Sequence, residues 1–469
     1  MTDDEFGYMQ ATRMAEMIRR RQLSPVEVME SVLARIERLN PRINAFAHFA
    51  PGPAMEAARR AEAAVTGGGK LGRLHGVPVT IKDLAYTKDM PTESGSRIMQ
   101  GYRPTEDTPM VARLKDEGAI VIGKTTTSEF GWTGVSRSPL TGITHNPWKH
   151  GYNAGASSAG AGAAAAAGFG PIHQGSDGAG SIRMPSHFCG VFGLKPSFGR
   201  VPAVPLGASD FTSHNGPMGR HVADVALMLS VMAGPHPQDH TTLEGVLDYT
   251  EGLAAGVRGK RIAYSPDLGH ARVDPDVAAL VRKAALRFEE LGATVEEVKI
   301  AWGAAGRELI RLTWPAHMAA RFAARLPEWE SRMDPGLVAC IRAGQRVSLE
   351  QYQAARECKH AYVGAIHSWF EDWDYLLTPS VSVAAFPADL LNPPHWPQHD
   401  WDWLAWAEFS YPFDFSWNPA ASVPCGFTEA GLPVGLQIVG RRFDDAGVLR
   451  AAAAFEAAQP WADKRPALS

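Results

Sequence analysis

Apolar residues recur at three- and four-residue steps through positions 8–39, and the spacing predicts two helices there. In the second, Ser24-Pro25-Val26-Glu27 reads as a capping box with proline at the first helical position. Val28, Val32, Leu33, Ile36 and Leu39 then fall on one face, and Pro41 is expected to end the helix. A third helix, about Ala54–Val65, stops at Gly67-Gly68-Gly69. These helices are expected to form an arm, residues 1–70, on the outside of the body.

From Leu74 the grammar changes. Val77–Lys82 is a short apolar run that reads as a buried strand. Asp107–Glu117 reads as a helix capped by Asp107, Gly118 closes it, and Ile120–Ile122 follows as a strand. The same order returns at Asp274–Ala293 and Thr294–Val298. Residues 300–372 are mostly helical in pattern. Tyr375–Leu377, Ser422–Pro424 and Val434–Val439 read as strands, and Gly447–Ala458 as a closing helix. Repeated helix–Gly–strand units predict an α/β fold with a mixed, mainly parallel central sheet covered by helices. With no repeats and no disordered tract, one domain over 1–469 is expected.

Composition narrows the class. Of 469 residues, 45% are hydrophobic and 20% charged, as in an ordinary soluble globular protein. A net charge of −4 gives no reason to expect nucleic acid as a partner. Cys189, Cys340, Cys358 and Cys425 lack metal or redox spacing and read as free thiols in a reducing cytosol. The N-terminus lacks the apolar core of a signal peptide, and no run reaches the ~18 apolar residues of a membrane span. The expectation is a cytoplasmic protein without metal or cofactor.

The chemistry gathers in 153–200. Two serine sites sit in Gly/Ala-rich turns, Ser157-Ser158 and Ser181, with an Ala-rich run between them. A serine that attacks an amide needs a proton acceptor and donors for the oxyanion. Gly178-Ala179-Gly180-Ser181 offers a hydroxyl and small residues whose N–H groups could point at one atom, or it is a plain tight turn. Lys82, ending an apolar strand, is a candidate base or a strand-end lysine in solvent. As a base it must be neutral, which for an ordinary lysine holds for roughly one molecule in 2,500 at pH 7, so burial would have to lower its pKa. Ser157 could pass a proton between the two, since a hydroxyl donates and accepts at once. Ser157 or Ser158 could equally cap the helix Ala159–Ala167.

The order of these pieces resembles the amidase signature family. The resemblance rests on Val79-Thr80-Ile81-Lys82-Asp83, GASSAG at 155–160, SDGAGSIRMPS at 176–186 and GLKP at 193–196. Gly123-Lys124-Thr125, Asn146-Pro147-Trp148 and Gly431–Gln437 flank them, so it spans about residues 10–460. It implies a Ser–Ser–Lys triad: Ser181 the nucleophile, Ser157 the bridge after a cis peptide bond, Lys82 the base. It further implies an oxyanion hole of N–H groups from Gly178, Ala179, Gly180 and Ser181. Ser158, Asp177 and Arg183 are read as supports. Alanine replaces family glycines at Ala156, Ala159 and Ala179. The activity implied is hydrolysis of a carboxylic amide through an acyl-enzyme, with esters and carbamates (a urethanase role) sharing the same carbonyl geometry. A small-molecule substrate and a monomer or homodimer are expected, with no membrane partner. The rival is the glutaminase-type component of a tRNA-dependent amidotransferase.

Three other signals carry less. Gly118–Thr125, GAIVIGKT, matches the P-loop pattern literally, but its four middle residues are apolar and mostly β-branched and read as the strand itself. No histidine lies in a catalytic motif; His173 lies near Ser181 in sequence, and His395 and His399 have no metal-site spacing. Trp396, Trp403, Trp406 and Trp417 are either core or a wall of the substrate pocket, which would then admit a bulky apolar or aromatic group.

Overall fold

The computed structural model describes residues 3–207 and 212–468. Its centre is an eleven-stranded sheet. In chain order the strands are β1 (Phe46–Phe49), β2 (Pro78–Lys82), β3 (Ile120–Thr125), β4 (Ile172–Asp177), β5 (Phe192–Lys195), β6 (His214–Gly219), β7 (Arg261–Tyr264), β8 (Thr294–Glu297), β9 (Tyr375–Pro379), β10 (Ala420–Phe427) and β11 (Pro433–Gly440). Across the sheet they run β1-β3-β2-β4-β6-β5-β10-β11-β9-β7-β8.

The α/β class and the mixed sheet are as expected, but the share of parallel pairing is smaller. Among the described residues β2/β3, β2/β4, β7/β8 and β7/β9 are parallel, and the other six pairs are antiparallel. Helical crossovers, which the sequence displays, mark the parallel pairs at each end. In the middle of the sheet, among the described residues, β5 runs to β6 and β10 to β11 without a helix between them, and the other antiparallel neighbours are not consecutive in the chain.

Side chains alternate across a strand, and here the alternation separates two cores. Ile262 and Tyr264 of β7, with Tyr375 and Leu377 of β9, join one apolar cluster. Their neighbours Ala263 and Leu376 join the other. The first core takes the N-terminal helices and the alanine helix Ala159–Ala167. The second takes the helices from Ala305 to Trp369 and the Trp-rich segment. No helix among the described residues is long and apolar enough to cross a membrane.

Local chemistry adjusts two helix boundaries. The Pro25–Ile43 helix passes through Pro41 and ends where Asn44 turns left-handed at φ 57°. Ser24 accepts from Val26 N–H at 3.0 Å and Glu27 N–H at 3.3 Å, which is the serine half of the expected capping box. Thr108, not Asp107, stands at the N-cap of the Pro109–Asp116 helix; the Asp107 carboxylate takes Lys115 Nζ at 2.8 Å instead. The alanine helix packs unusually close to backbone. A side-chain carbon at Gly160 would lie 2.5 Å from both Ala45 O and Thr126 N, so only glycine fits there.

Candidate active site

Strands β2 and β4 are parallel neighbours, so their C-terminal ends reach the same edge. Lys82 ends β2 and Asp177 ends β4. The alanine helix enters beside them with Ser157 and Ser158 in the turn before it, and Ser181 follows Asp177 in the turn after β4. Topology alone thus gathers the lysine and all three serines.

Lys82 is fully buried. Its Nζ lies 2.7 Å from Ser157 Oγ, 2.9 Å from Ser158 Oγ, 2.9 Å from Ser176 Oγ and 3.2 Å from the Ser176 carbonyl. Its main-chain N–H is held by Gln174 Oε1 at 3.1 Å. Burial pushes its pKa down to about 7, against the opposing pull of Asp177. Near neutral pH the neutral amine is therefore far more populated than in an ordinary lysine. The oxygens around it orient that amine. Ser158 Oγ donates to the Ser176 carbonyl at 3.1 Å, so it must accept from Lys82. The Ser176 carbonyl can only accept. A neutral amine has two protons and one lone pair; with the protons on Ser158 Oγ and the Ser176 carbonyl, the lone pair faces the hydroxyls of Ser157, at 2.7 Å, and Ser176, at 2.9 Å. Ser176, on which the sequence reading placed no role, is part of this cage; its place directly before Asp177 was the available signal.

Ser181 is joined to this group through Ser157, whose N–H donates to Ser181 Oγ at 3.3 Å. The family's cis bond before Ser157 is not formed. The cis peptide among the described residues is Val204–Pro205, and Ala156 carries the turn instead with φ 41°. That left-handed conformation is strained for alanine, and Gly134 O holds it by accepting Ala156 N–H at 2.7 Å.

The expected oxyanion donors divide. Gly180 N–H donates to Asp177 Oδ1 at 2.5 Å and so faces away from any oxyanion. Among the described residues no protein acceptor takes the N–H of Gly178, Ala179 or Ser181. Three of the four candidates are therefore available, and Gly180 serves the turn.

Asp177 shapes that turn. Its carboxylate also accepts Ile182 N–H at 3.1 Å and takes Arg183 Nε and Nη2, each at 2.9 Å, as a two-point pair. Burial alone would raise this carboxyl; the facing guanidinium outweighs it and holds the pKa well below the usual carboxylate range. Arg183, fully buried, extends the network to Asp414 at 2.8 Å, the Ser410 carbonyl at 2.9 Å and Gln437 Oε1 at 3.0 Å. Burial and the nearby Asp177 charge push Asp414 well above its ordinary value, against the opposing pull of Arg183 and Lys195. Neither Asp414 nor Gln437 stood out in the sequence. They lie more than 200 residues from Arg183, and no local pattern marks such a contact.

Trp396, Trp403 and Trp406 are buried, and Trp417 is partly exposed. The ring centroids of Trp403 and Trp406 are 5.9 Å apart, and a side-chain carbon on Gly134 would lie 2.6 Å from each. Their indole N–H groups donate to Trp132 O and Leu391 O. Trp396 lies under Arg272 and donates to Asp274, and Trp417 stacks on Phe198. Of the two readings, the burial of Trp396, Trp403 and Trp406 fits core packing, and Trp403 and Trp406 lie beneath Gly134. His173 is also structural, bonded to Thr80 Oγ1 at 2.9 Å and Gly170 O at 3.1 Å. In the literal P-loop match, residues 120–125 are strand β3, and Lys124 is buried on Thr92 and the Ala85 carbonyl.

A family model described as Amidase matches residues 27–449. The chain is 40% identical over 482 aligned positions to an acylamidase of Rhodococcus erythropolis, covering 100% of this chain and 99% of that protein. It is 32% identical over 471 positions to the A component of the glutamyl-tRNA(Gln) amidotransferase of a Cyanothece species, covering 95% and 97%. The crystal structure of a bacterial aryl acylamidase of the amidase signature family superposes with a TM-score of 0.90 at 31% identity over 97% of each chain.

Proposed function

This chain belongs to the amidase signature family and hydrolyses carboxylic amide C–N bonds; from that premise we propose that it does so through an acyl-enzyme on Ser181. Ser181 Oγ attacks the carbonyl carbon while its proton passes to Ser157 Oγ and the Ser157 proton passes to neutral Lys82. The oxyanion lies against the N–H groups of Ala179 and Ser181, with Gly178 beside them. Collapse breaks the C–N bond, and the departing nitrogen takes the proton back through Ser157. Water then cleaves the ester by the same relay and the acid leaves. The observation that carries this reading is the buried amine 2.7 Å from Ser157 Oγ, with Ser157 in turn bonded to Ser181. The Ser157–Ser181 contact runs through the amide N–H here, and the relay needs the two hydroxyls to meet once a substrate is bound, a tightening usual for catalytic hydrogen bonds.

Ester and carbamate carbonyls present the same geometry, and we include them in the substrate range. Higher identity to the acylamidase than to the amidotransferase component favours a free-standing hydrolase acting as a monomer or homodimer. Free cysteines, one of them the exposed Cys358, suit a reducing compartment, the cytoplasm. The test is turnover of anilides, alkyl amides, esters and carbamates by the purified chain, with the acyl adduct located by mass spectrometry. An adduct on Ser181 and loss of turnover in Ser181→Ala are expected; full turnover by Ser181→Ala overturns the assignment.

A further inference from the structure

The ground beside Ser157 is built by the chain just past Lys82 and by the turn at 128–134. Gly131 has φ 75°, and a side-chain carbon on it would lie 3.2 Å from Leu84 Cδ1 and 3.4 Å from Ser157 Oγ. Glycine therefore leaves space directly against the bridging hydroxyl. Phe130, before it, is also left-handed at φ 51°, an uncommon state for an aromatic residue. Its ring is stacked on Phe322, with centroids 4.3 Å apart and planes at 27°. Leu84, Phe130 and Gly131 are partly exposed, whereas Ser157 and Ser181 are buried. This side of the serines is thus partly open, as are Ser176 and Gly178.

Resting on the relay proposed above, the nitrogen that leaves must come within hydrogen-bond reach of Ser157 Oγ. Whatever that nitrogen carries then lies over Gly131 and against its neighbours. We infer that Leu84, Phe130 and Phe322 set selectivity for the leaving amine, and that the substituent they take is an aromatic ring or a similarly flat apolar group, as in an anilide. Flat rings stack offset or edge-on with aromatic partners, and the Phe130–Phe322 pair offers such a surface.

The experiment compares kcat/KM for two amides of one acyl group, an anilide and an N-methyl amide, and for two anilides of different acyl groups. Phe130→Leu and Phe322→Leu keep apolar bulk and lose the ring stack; Phe322→Ala is a harsher version. The expected result is a fall in the anilide to N-methyl amide ratio of roughly three- to tenfold, with the ratio between acyl groups unmoved. Equal losses on both amines, or a change that follows the acyl group, overturn the inference. Ser181→Ala is run on the same substrates: if it stays active the relay itself is wrong, whereas an inactive Ser181→Ala with unmoved amine selectivity removes this inference alone. Should Phe322→Ala fail to fold, the two leucine variants decide.

Discussion

Lys82 Nζ and Ser157 Oγ lie 2.7 Å apart in a site where the lysine has no contact with solvent. The same burial that frees the amine to accept a proton opposes charging it. Activity and stability should thus respond to pH together.

For activity the sign is simple. The base works uncharged, so kcat/KM should rise as pH climbs through about 7 and level off above it. Lys82→Met should lose several orders of magnitude in kcat. A pH–rate profile of the wild type checks the inflection; a flat profile across pH 6–8 on a substrate limited by acylation removes lysine from the proton path.

For stability, the folded pKa of about 7 lies below the unfolded value of 10.5. Between those pH values the unfolded chain binds more protons, so stability should rise with pH across that window. The cost is fully present below pH 7 and has a ceiling of about 5 kcal/mol, at about 1.4 kcal/mol per pKa unit. Lys82→Met removes it and forfeits the hydrogen bonds to the serines. The inactive variant should therefore melt above the wild type at pH 7, with the gap closing toward pH 10. Melting curves at four pH values measure this, and parallel curves count against a neutral buried amine.

Ser157→Ala and Ser158→Ala should separate bridge from support. Removing Ser157 should abolish acylation. Removing Ser158 takes one acceptor from Lys82, a bond worth about 0.5–1.5 kcal/mol, and should lower kcat by roughly three- to tenfold. Equal losses in single-turnover acylation would mean that the two hydroxyls share the relay.

Arg183→Met should be among the most damaging substitutions away from the reacting atoms. It leaves Asp177 buried without its counter-charge, at a cost of about 3–5 kcal/mol. The denaturation midpoint should fall accordingly, and the paired Asp177→Asn, Arg183→Met variant should recover part of the loss. Trp406→Ala should cost about 3–5 kcal/mol as a core truncation while leaving the ranking of substrates as it was. A changed ranking would return this tryptophan to the pocket.

The sequence was most legible where chemistry and local pattern coincide. Lys82 at the end of an apolar strand, and Ser157 and Ser181 in small-residue turns, could be picked out, and the fold brings Lys82 against Ser157 and Ser181 against Ser157 N–H. Helices at 25–43 and 275–290 followed from their caps and periodicity. What stayed hidden depends on direction or on distance along the chain. Gly180 N–H points to Asp177 rather than outward, which composition cannot reveal. Asp414 and Gln437 reach Arg183 from the far third of the chain. The antiparallel middle of the sheet mostly pairs strands that are not consecutive in the chain, and the tryptophans look alike whether they wall a pocket or fill a core.

The guanidinium of Arg183 ties the turn of the nucleophile to Ser410, Asp414 and Gln437. During synthesis, residue 181 leaves the ribosome long before those anchors exist. A nascent chain thus already carries Ser181 and Lys82, but the clamp around Arg183 is completed only once residue 437 has emerged. Hydrolytic competence should accordingly switch on late and all at once, and fragments ending before residue 410 should be inert however well their early strands assemble.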